Sequence, residues 1–398
     1  MKKIKILCLD IEGGHGGSSK SLFYLLQKIN KKKFKIEVIC KKDSWLKEKY
    51  HKENIKCIID QSMPRAIILQ KISRNFFSLI FFIIYVWPKS KRFRLHLLQK
   101  LKNIDILHCN HISLFLLAFW IKKKLPKLKI TFHIRTMFWP YKKNNWHFFY
   151  KWTLKITNKI CDHFIFITEN EKKNFLQILK QKVTGTVIYN PVFNTIKKIE
   201  NKKKNQSLNI VSLSNHEFLR GTDRIIEVAK LIPVNIQKKF KFLMIGSTIA
   251  HKSFFERILK KTPVKKNLIK YAQHSNISHM FKFYGHINNP LPIIKKGDLL
   301  IKLTRELNPW GRDILEAMSV GTPVISCGTY NKFVKSNITG FLQKKFNANE
   351  VAKWIIKVEK NRLFLDKMKK NSLNNIAKIC NQKKQVEKIE KIWIKLNN

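Results

Sequence analysis

The segment with the clearest chemical pattern is residues 305–325, where a polar loop leads into a short helix and then into a buried strand. Gly311 stands at the predicted start of the helix, so the backbone N–H groups around it could hold phosphate or sugar oxygens. Glu316 lies within the apolar helix, in a chain with only 25 acidic residues. A buried carboxylate needs hydrogen-bond donors, and two sugar hydroxyls would supply them. The segment therefore predicts contacts with phosphate and sugar oxygens.

A second candidate is the glycine-rich turn GGHGGSSKS at residues 13–21, directly after the first predicted strand. A turn of this kind lets backbone N–H groups and a helix N-terminus approach a phosphate. Two other interpretations stay open. The turn nearly matches a nucleotide-binding P-loop, although Ser19 replaces the glycine that should precede Lys20. It could also be a tight strand-to-helix turn, but four glycines in five positions exceed what that needs.

Further candidates lie at the ends of predicted elements. His133 ends a predicted strand at residues 129–133, and Arg135 follows it. Strand ends in parallel sheets face the ligand crevice, so His133 could contact a ligand or transfer a proton and Arg135 could contact an anion. A structural histidine is an equally open interpretation. Arg220 precedes a helix predicted from Thr222, where an anion could dock.

These candidates are separated by short β-branched runs that alternate with amphipathic stretches of helical length. The alternation predicts parallel sheets with helices on both faces. In the first half, strands are predicted at residues 4–10, 35–40, 55–59, 106–109, 129–133, 163–168 and 186–189. In the second half, they are predicted at residues 208–213, 240–245, 280–284, 299–303 and 323–326.

A polar, Lys- and Asn-rich stretch interrupts the alternation after Asn190 and Pro191. We therefore predict an α/β chain with two doubly wound, Rossmann-like domains that face each other across a cleft. The predicted parts are an N-terminal domain at residues 1–190, a linker at 191–206, a C-terminal domain at 207–375, and a C-terminal helix at 376–398 that packs back on the N-terminal domain.

The charge of the chain is strongly positive, with 80 Lys and Arg against 25 Asp and Glu, a formal net charge of +55. Hydrophobic residues make up 44% of the sequence, which excludes a disordered polycation. Only 11 of the basic residues are arginine. Proteins that read bases or grip phosphates in a bidentate way favour arginine, so no nucleic-acid partner is expected. Compositional drift and a selected attraction to anions both remain open as causes of the lysine excess.

The longest apolar run is FFSLIFFIIYVW at residues 76–87, with basic residues on both sides. Its 12 residues are fewer than the roughly 18–20 that span a bilayer. A helix lying in the membrane interface and a buried helix of an α/β domain both fit. A second run at residues 112–121, followed by three lysines, favours the membrane slightly. Peripheral contact with an anionic membrane is therefore one expectation.

The ends and cysteines point to an intracellular location. The first ten residues predict a buried strand rather than a signal peptide, because Asp10 and Glu12 interrupt a short apolar stretch. The seven cysteines are scattered, form no CxxC pair and are expected to be reduced core residues. We expect a cytoplasmic protein, peripheral on the inner face of the cytoplasmic membrane if it contacts one.

Taken in order, these sites resemble those of the family 4 retaining glycosyltransferases of the GT-B fold, over nearly the whole chain. The segment NPWGRDILEAMSVGTPVI carries most of the resemblance. The resemblance implies transfer of a hexose from a nucleoside-diphosphate sugar to a glycan or lipid-linked glycan, as in the synthesis of cell-surface polysaccharide or lipopolysaccharide. It also implies retention of anomeric configuration, no cofactor beyond the sugar nucleotide as co-substrate, and no metal.

The resemblance also implies roles for individual residues. Gly16 and Gly17 match a loop that approaches the donor diphosphate and sugar. His133 matches a histidine beside the transferred sugar, and Glu316 matches a glutamate that binds the ribose hydroxyls. Further donor contacts are implied for Arg220, which stands where the family usually has a diphosphate-binding lysine, and for the loop at Trp310, Gly311 and Arg312.

Two departures from the family pattern stand out. Asn308 occupies the place of a glutamate expected to touch the donor sugar, so the catalytic residues implied are His133 and Asn308, with Glu306 as a substitute if the loop shifts. Ser214 replaces an arginine that contacts the diphosphate, and Arg135 or Lys20 could compensate. Within enzymes, a GT-B phosphorylase or epimerase is the alternative. Outside them, the alternative is a basic protein that binds nucleic acid or membrane on a degenerate scaffold.

Overall fold

The computed structural model describes residues 2–14, 16–66, 73–138, 147–192, 206–250, 263–287 and 289–398, apart from the side chains at 73–75 and 147. The chain divides into two compact units. Unit 1 comprises Met1–Pro191 and Cys380–Asn398, and unit 2 comprises Val192–Ile379. Most of the linker predicted at residues 191–206 lies outside the described residues, as does His15 of the glycine-rich turn.

Unit 1 contains a seven-stranded sheet in the order β3-β2-β1-β4-β5-β6-β7, with every neighbouring pair parallel. The strands read as nearly continuous apolar runs because helices cover both faces of the sheet. The order reverses between β1 and β4, which places the carboxyl ends of these strands side by side. The strands are β1 (Ile4–Asp10), β2 (Phe34–Cys40), β3 (Lys56–Ile59), β4 (Ile106–Cys109), β5 (Lys129–Ile134), β6 (His163–Phe166) and β7 (Gly185–Val187).

The helices of unit 1 connect these strands. A π-helical turn at Phe82–Val86 joins α3 to α4, and a 3-10 turn at Ile112–Leu114 precedes α6. The helices in this part of the chain are α1 (Gly17–Leu26), α2 (Leu46–Lys52), α3 (Ser73–Phe81), α4 (Trp87–Lys89), α5 (Lys91–Leu101), α6 (Phe115–Lys124), α7 (His147–Ile160) and α8 (Glu169–Leu179).

Unit 2 contains a six-stranded parallel sheet in the order β10-β9-β8-β11-β12-β13. Its order reverses between β8 and β11, so the loops that follow these two strands are neighbours. The strands are β8 (Leu208–Leu213), β9 (Phe240–Ile245), β10 (Phe281–Gly285), β11 (Leu299–Lys302), β12 (Val324–Cys327) and β13 (Gly340–Gln343). The described helices are α9 (Asp223–Ala229), α10 (Leu268–His274), α11 (Leu291–Lys296), α12 (Arg312–Ser319), α13 (Ala348–Lys360) and α14 (Arg362–Ile379).

The last helix, α15 (Gln382–Asn397), returns to unit 1. Its Trp393 is fully buried in a cluster with residues of β1, β2 and α1. The indole lies edge-on to Phe34, with ring centroids 5.8 Å apart, and to His108, with centroids 6.0 Å apart. The C-terminal end of the chain is therefore part of the core of unit 1.

The fold class predicted from the sequence is confirmed: the chain is α/β, with two parallel, doubly wound sheets. Four predicted strands, among them Ile4–Asp10 and Phe240–Ile245, have the predicted bounds, and most others differ by one or two residues. β13 was not predicted. It is a four-residue edge strand that opens on Gly340, whose φ of +154° is rarely adopted by other residues. The strand starts with glycine and ends with Gln343, so its two apolar residues give no run that indicates a strand.

The two apolar runs singled out from the sequence have different environments. The run at residues 112–121 forms α6 and the turn before it, and Phe115, Leu117 and Ile121 are buried in the core of unit 1. In the run at residues 76–87, only Phe82 is buried, so the interpretation of that run as a buried helix is wrong. Within the described ranges, no helix combines the length and apolar character that crossing a bilayer requires.

Candidate functional site

The candidate site of unit 2 is formed by the two loops that follow β8 and β11. Hydrogen bonds join the loop after β11 to the 3-10 turn Phe218–Arg220, which lies in the loop after β8. The carbonyl of Leu219 accepts the backbone N–H of Arg305 at 2.8 Å and the hydroxyl of Thr304 at 3.0 Å. On the other side, Arg224 donates from Nη1 to the carbonyl of Leu303 at 3.1 Å. The two loops are therefore held in one arrangement.

A bidentate ion pair between Arg305 and Asp223 also holds these two loops together. Arg305 donates from Nη1 and Nη2 to the two carboxylate oxygens of Asp223, at 2.7 and 2.6 Å, and from Nη1 to the carbonyl of Phe218 at 2.6 Å. Its guanidinium carbon lies 4.2 Å from the centroid of the Phe218 ring. Burial raises the pKa of Asp223, but the hydrogen bonds and charge of Arg305 outweigh burial, so the pKa is lowered overall. The carboxylate stays ionised and fixes the start of α9.

Arg220 and Asn308 come together through Glu306. Nη1 of Arg220 lies 3.8 Å from Oε2 of Glu306, and Nδ2 of Asn308 donates to the same oxygen at 3.2 Å. The Arg220 side chain keeps 45% of its surface exposed, so a bound anion can reach it. The buried Oδ1 of Asn308 has no hydrogen-bond partner among the described residues. Glu306 thus lies beside Asn308, where the family pattern has its first glutamate.

Gly311 marks the start of α12, and its lack of a side chain is required by space. A Cβ atom here would lie 2.2 Å from Nζ of Lys302 and 2.4 Å from Oδ1 of Asp313. These two atoms form an ion pair at 3.0 Å whose side chains are nearly buried. Because φ is −64° at Gly311, the backbone itself would accept other residues. The glycine therefore makes room for the ion pair beside the helix N-terminus.

Glu316 is held by the residue one turn before it. Nε of Arg312 donates to Oε1 of Glu316 at 3.0 Å, and the side chains of both residues are largely buried. Trp310, in the loop before α12, is buried with its ring edge-on to Tyr330 at 5.3 Å. Four basic side chains of this site pair with a carboxylate, and Arg220 has the longest ion-pair distance of the four.

Ser214, which stands where the family pattern has an arginine, lines a small cavity in unit 2. Arg220, Lys302 and Asp313 line the same cavity. The ion pair Lys302–Asp313 and the exposed Arg220 therefore share one recess at the carboxyl ends of β8 and β11. A basic group other than the missing arginine is thus present there.

In unit 1, Asp10 organises the carboxyl ends of β1 and β4. Its carboxylate accepts the N–H of Gly13 at 3.1 Å and Nδ2 of Asn110 at 3.0 Å. Burial raises the pKa of Asp10, and the hydrogen bond from Asn110 opposes the rise. Arg135 extends this network, donating to Oδ1 of Asn110 at 2.8 Å and to Oδ1 of Asn190 at 2.8 Å. The Arg135 predicted as an anion contact therefore binds two amide side chains.

The glycine-rich turn brings an internal carboxylate to the start of α1. Gly16 is the N-cap residue and Gly17 the first residue of the helix. The hydroxyl of Ser18 donates to Oε2 of Glu12 at 2.6 Å, and a Cβ at Gly16 would lie 1.8 Å from that oxygen. Lys20 lies half-buried on the first turns of the helix. The lack of a side chain at Gly16 leaves room for the Glu12 carboxylate at the N-terminus of α1. This is the place where the sequence predicted a phosphate.

His133 is fully buried on β5, edge-on to His108 with ring centroids 5.7 Å apart. Its Nδ1 lies 3.1 Å from Nη2 of Arg135. Because arginine can only donate, Nδ1 accepts and Nε2 carries the hydrogen. Within the described residues, Nε2 has no hydrogen-bond partner. Burial, with the charge of Arg135, lowers the pKa of His133 well below its usual value, so the imidazole is neutral at pH 7.

Sequence reasoning missed the partners that hold the candidate residues: Arg305, Asp223, Lys302, Asp313, Asp10 and Asn110. The scarcity of acidic residues, used above for Glu316, was a signal that also applied to these three aspartates. Each one lies within two residues of the end of a predicted strand or the start of a predicted helix, where a carboxylate has a structural or binding role. Among the described residues, no group of three or more His, Cys, Asp and Glu side chains is arranged to hold a metal ion.

Two family models match the chain in succession. The model for glycosyltransferase family 4 matches residues 15–193, and the model for glycosyl transferases group 1 matches residues 192–375. No curated protein matches the sequence.

Solved structures of similar fold cover the whole chain. HepE of Anabaena in complex with UDP is 16% identical, with a TM-score of 0.72 over 98% of this chain and 99% of that one. A glycosyltransferase from Rickettsia africae ESF-5 is 16% identical, with a TM-score of 0.68 over 100% and 99%. Sucrose-phosphate synthase from Thermosynechococcus elongatus is 14% identical, with a TM-score of 0.70 over 99% of both chains.

Proposed function

Because the chain belongs to the glycosyltransferases of family 4 and group 1, with the GT-B fold, we propose that it moves a sugar from a nucleoside diphosphate to a glycan or lipid-linked glycan with retention of anomeric configuration. The observation that carries this proposal is the pairing of Arg312 with Glu316 on the first turns of α12. It supplies an oriented carboxylate next to a helix N-terminus, the combination that a ribose joined to a diphosphate requires.

Glu316 takes the ribose in this proposal. An ionised carboxylate accepts hydrogen bonds from both ribose hydroxyls, and the bond from Arg312 fixes its orientation before the donor arrives. The matched solved structures favour uracil as the base to test first, since HepE of Anabaena was crystallised with UDP and with UDP-glucose.

The diphosphate is assigned to the N-terminus of α12 and to Arg220. The first N–H groups of the helix point toward its N-terminus, and the cation of Arg220 is the most exposed of the site. When the bond from the anomeric carbon to the phosphate oxygen breaks, negative charge develops on the departing diphosphate, and these groups stabilise it. The oxygen of the acceptor hydroxyl then bonds to the same face of the anomeric carbon, and its proton passes to the departing diphosphate. Fixed cations in this position are the reason we propose a metal-independent reaction.

The transferred sugar is assigned to Asn308 together with Glu306. The Asn308 amide can hydrogen-bond sugar hydroxyls, and the adjacent carboxylate of Glu306 supplies the negative charge that an amide lacks. The role of His133 stays a prediction. Its neutral imidazole offers Nε2–H as a hydrogen-bond donor to a sugar hydroxyl.

Thermal stabilisation by UDP, GDP and ADP and their sugar conjugates tests the donor. A nucleotide at 100 times its Kd stabilises the folded protein by about 2.7 kcal/mol. We expect one nucleotide to stabilise the wild type, and Glu316→Gln and Arg220→Ala to weaken its affinity by about tenfold to hundredfold. Glu227→Gln is the matched control, since Glu227 pairs with Lys265 at 3.2 Å outside the site. Unchanged affinity in both site variants contradicts the assignment.

Product analysis separates the proposed function from its alternatives. Acceptor-dependent release of nucleoside diphosphate, with the donor's anomeric configuration in the product, supports a retaining transferase. A requirement for inorganic phosphate would indicate a phosphorylase, and interconversion of the donor sugar an epimerase. Activity that EDTA abolishes and Mg²⁺ restores would contradict metal independence.

A further inference from the structure

The outer face of the helix formed by α3, the π-helical turn and α4 carries a set of exposed, large apolar side chains. We call this set the apolar stripe, and its members are 39–71% exposed: Phe76, Phe77, Ile80, Phe81, Ile83, Ile84 and Tyr85. Between residues 76 and 85, only Phe82 is buried. The spacing of the first members places them on one face of an α-helix, and the π-helical turn presents Ile83, Ile84 and Tyr85 to solvent together.

The apolar stripe is large for the surface of a water-soluble domain. Its seven residues expose the equivalent of about four whole side chains, on the order of 700 Å² at the area that one large apolar side chain carries. Contiguous apolar patches above a few hundred Å² mark interaction surfaces. We therefore expect a binding partner or a membrane to cover the stripe.

The helix that carries the apolar stripe is fixed at its C-terminal end. The guanidinium carbon of Arg94 lies 3.9 Å from the Trp87 ring and 5.2 Å from the Trp120 ring. Arg94 also donates from Nη2 to the carbonyl of Trp87 at 3.1 Å and from Nε to the hydroxyl of Ser90 at 3.2 Å. Phe82 and Trp87 pack against the core of unit 1. These contacts fix the orientation of the helix, so that the stripe faces solvent.

Acidic residues are nearly absent from the part of the sequence that surrounds the apolar stripe. Residues 61–161 contain 20 Lys and Arg but a single acidic residue, Asp105, leaving 60 basic and 24 acidic residues for the other 297. About one residue in five is basic in both parts. The lysine excess is therefore uniform, and acids are scarce in this segment, as they also are at residues 228–297, where Glu256 is the single acid. The exception, Asp105, accepts the backbone N–H of Lys5 at 2.7 Å, a structural contact.

Exposed cations and an aromatic hydroxyl lie at the C-terminal end of the stripe. Lys89, Lys91 and Arg92 are exposed there, and Nζ of Lys89 lies 5.3 Å from the centroid of the Tyr85 ring. Side chains with an apolar stem and a charged tip, beside tyrosine and tryptophan, are typical of the boundary between lipid and water.

We propose that the apolar stripe docks unit 1 onto an anionic lipid bilayer, with the helix lying in the interface. Ten residues of helix extend about 15 Å, half the thickness of the hydrocarbon core, so the stripe can enter one leaflet without spanning it. Anionic headgroups complement the exposed cations at the C-terminal end of the stripe. A second copy of this chain is disfavoured as the occupant because it would bring two acid-poor, basic surfaces together.

Co-flotation with vesicles tests the proposal on the full-length protein. We expect binding to phosphatidylcholine vesicles that contain phosphatidylglycerol, weaker binding to phosphatidylcholine alone, and loss of binding in high salt. Phe77→Ser with Ile84→Ser should lower partitioning by roughly tenfold to hundredfold, since both side chains are 71% exposed and enter lipid. The apolar control is Val234→Ser with Leu363→Ser, two exposed residues of unit 2 that should leave partitioning unchanged.

Two triple variants that remove the same charge test whether vesicle binding depends on the cations beside the stripe or on the net charge of the protein. Replacing Lys89, Lys91 and Arg92 by glutamine should weaken binding to anionic vesicles by about fivefold for each charge removed. Replacing the exposed Lys238, Lys344 and Lys345 of unit 2 by glutamine removes the same charge and should have little effect. Equal losses in the two variants would mean that net charge alone drives binding and would overturn the proposal.

Three other results would also overturn it. If the variant with Phe77→Ser and Ile84→Ser still binds vesicles as the wild type does, the stripe is not the membrane-binding surface. A wild-type dimer that those changes convert to a monomer, without vesicle binding, would make a second copy the occupant. Salt-sensitive binding to RNA without binding to vesicles would assign the basic surface to nucleic acid. These assays contain no donor, so failure of the transferase proposal leaves them interpretable.

Discussion

Around the start of α12, four acidic residues each have a basic partner, in a chain where basic residues outnumber acids by 55. Pairing has a physical reason, because a carboxylate taken out of water needs donors or an opposite charge. Arg312 orients Glu316, and Lys302 and Asp313 fill the space that Gly311 leaves open. The excess lysines add to the net charge but do not create the site.

Two buried histidines predict acid sensitivity of unit 1. Burial, with the charge of Arg135, lowers the pKa of His108 to about 3, and burial lowers that of His133 well below its usual value. Both titrate near 6.5 in the unfolded chain, so below that pH the unfolded state binds protons that the folded state does not. Stability should fall as the pH drops from 6.5 toward 3, and His108 alone should account for about 2 kcal/mol of that loss at pH 5.

Hydrogen exchange of β4 and β5 at pH 7 and pH 5 measures this loss. His108→Gln removes one titrating group while leaving an amide to hydrogen-bond Thr131, whose hydroxyl lies 2.9 Å from Nδ1 of His108. The variant should lose about 2 kcal/mol less between the two pH values than the wild type does. An equal loss in both proteins would show that His108 does not contribute.

At the scale of elements, the reversal of strand order in each sheet decides which loops meet. In unit 2, β8 and β11 are neighbours although about 85 residues separate them in sequence, and their loops carry Arg220 and the segment at 303–311. In unit 1, β1 and β4 bring the glycine-rich turn next to Asn110. The alternation of strands and helices predicted that such junctions exist, but it did not give the bonds across them.

Arg305 is a positioning residue at the junction in unit 2. Arg305→Lys keeps the charge but cannot make the bidentate bond to Asp223 or fix the Phe218 carbonyl to the same degree. We expect about 1–3 kcal/mol lower stability and, because the turn bearing Arg220 loosens, a higher KM for the donor with a smaller change in kcat. Denaturant unfolding and steady-state kinetics measure the two effects.

The control for this variant is Arg362→Lys. Nη2 of Arg362 lies 3.9 Å from Glu359 and donates to the carbonyl of Gln206 at 3.1 Å, away from the two loops. It should change neither the donor KM nor stability by much. A donor KM that stays at the wild-type value in Arg305→Lys would show that the bidentate pair does not position Arg220.

At the scale of the whole molecule, the chain leaves unit 1 after Pro191 and returns to it at Cys380. The returning helix α15 contributes Trp393, Ile389 and Val386 to the core of unit 1. Unit 1 is therefore complete only when the last residues of the chain are present. The apolar stripe lies in the same unit, so proposed membrane docking and this C-terminal packing concern one body.

Trp393→Ala tests this dependence. Removing a fully buried indole should destabilise unit 1 by about 3–5 kcal/mol, through lost burial and the cavity left behind. Hydrogen exchange resolved along the sequence should rise in β1, β2 and β4 and stay unchanged in β8 to β13. Trp354→Ala, in unit 2, is the matched control and should give the reverse pattern. Rising exchange in unit 2 alone for Trp393→Ala would contradict the packing described.

The sequence by itself determined the fold class, most strand positions and the key segment of unit 2, because these depend on local patterns. Apolar runs separated by polar turns identify strands, and Gly311 and Glu316 stand out from their neighbours. Only the tertiary structure decided the partners: Arg305 with Asp223, Glu306 with Asn308, and Glu12 at the start of α1. It also decided that the apolar stripe within residues 76–85 faces solvent while the similar run in α6 is buried. The physical reason is that partners and burial depend on contacts between distant segments, which hydrophobic periodicity does not encode.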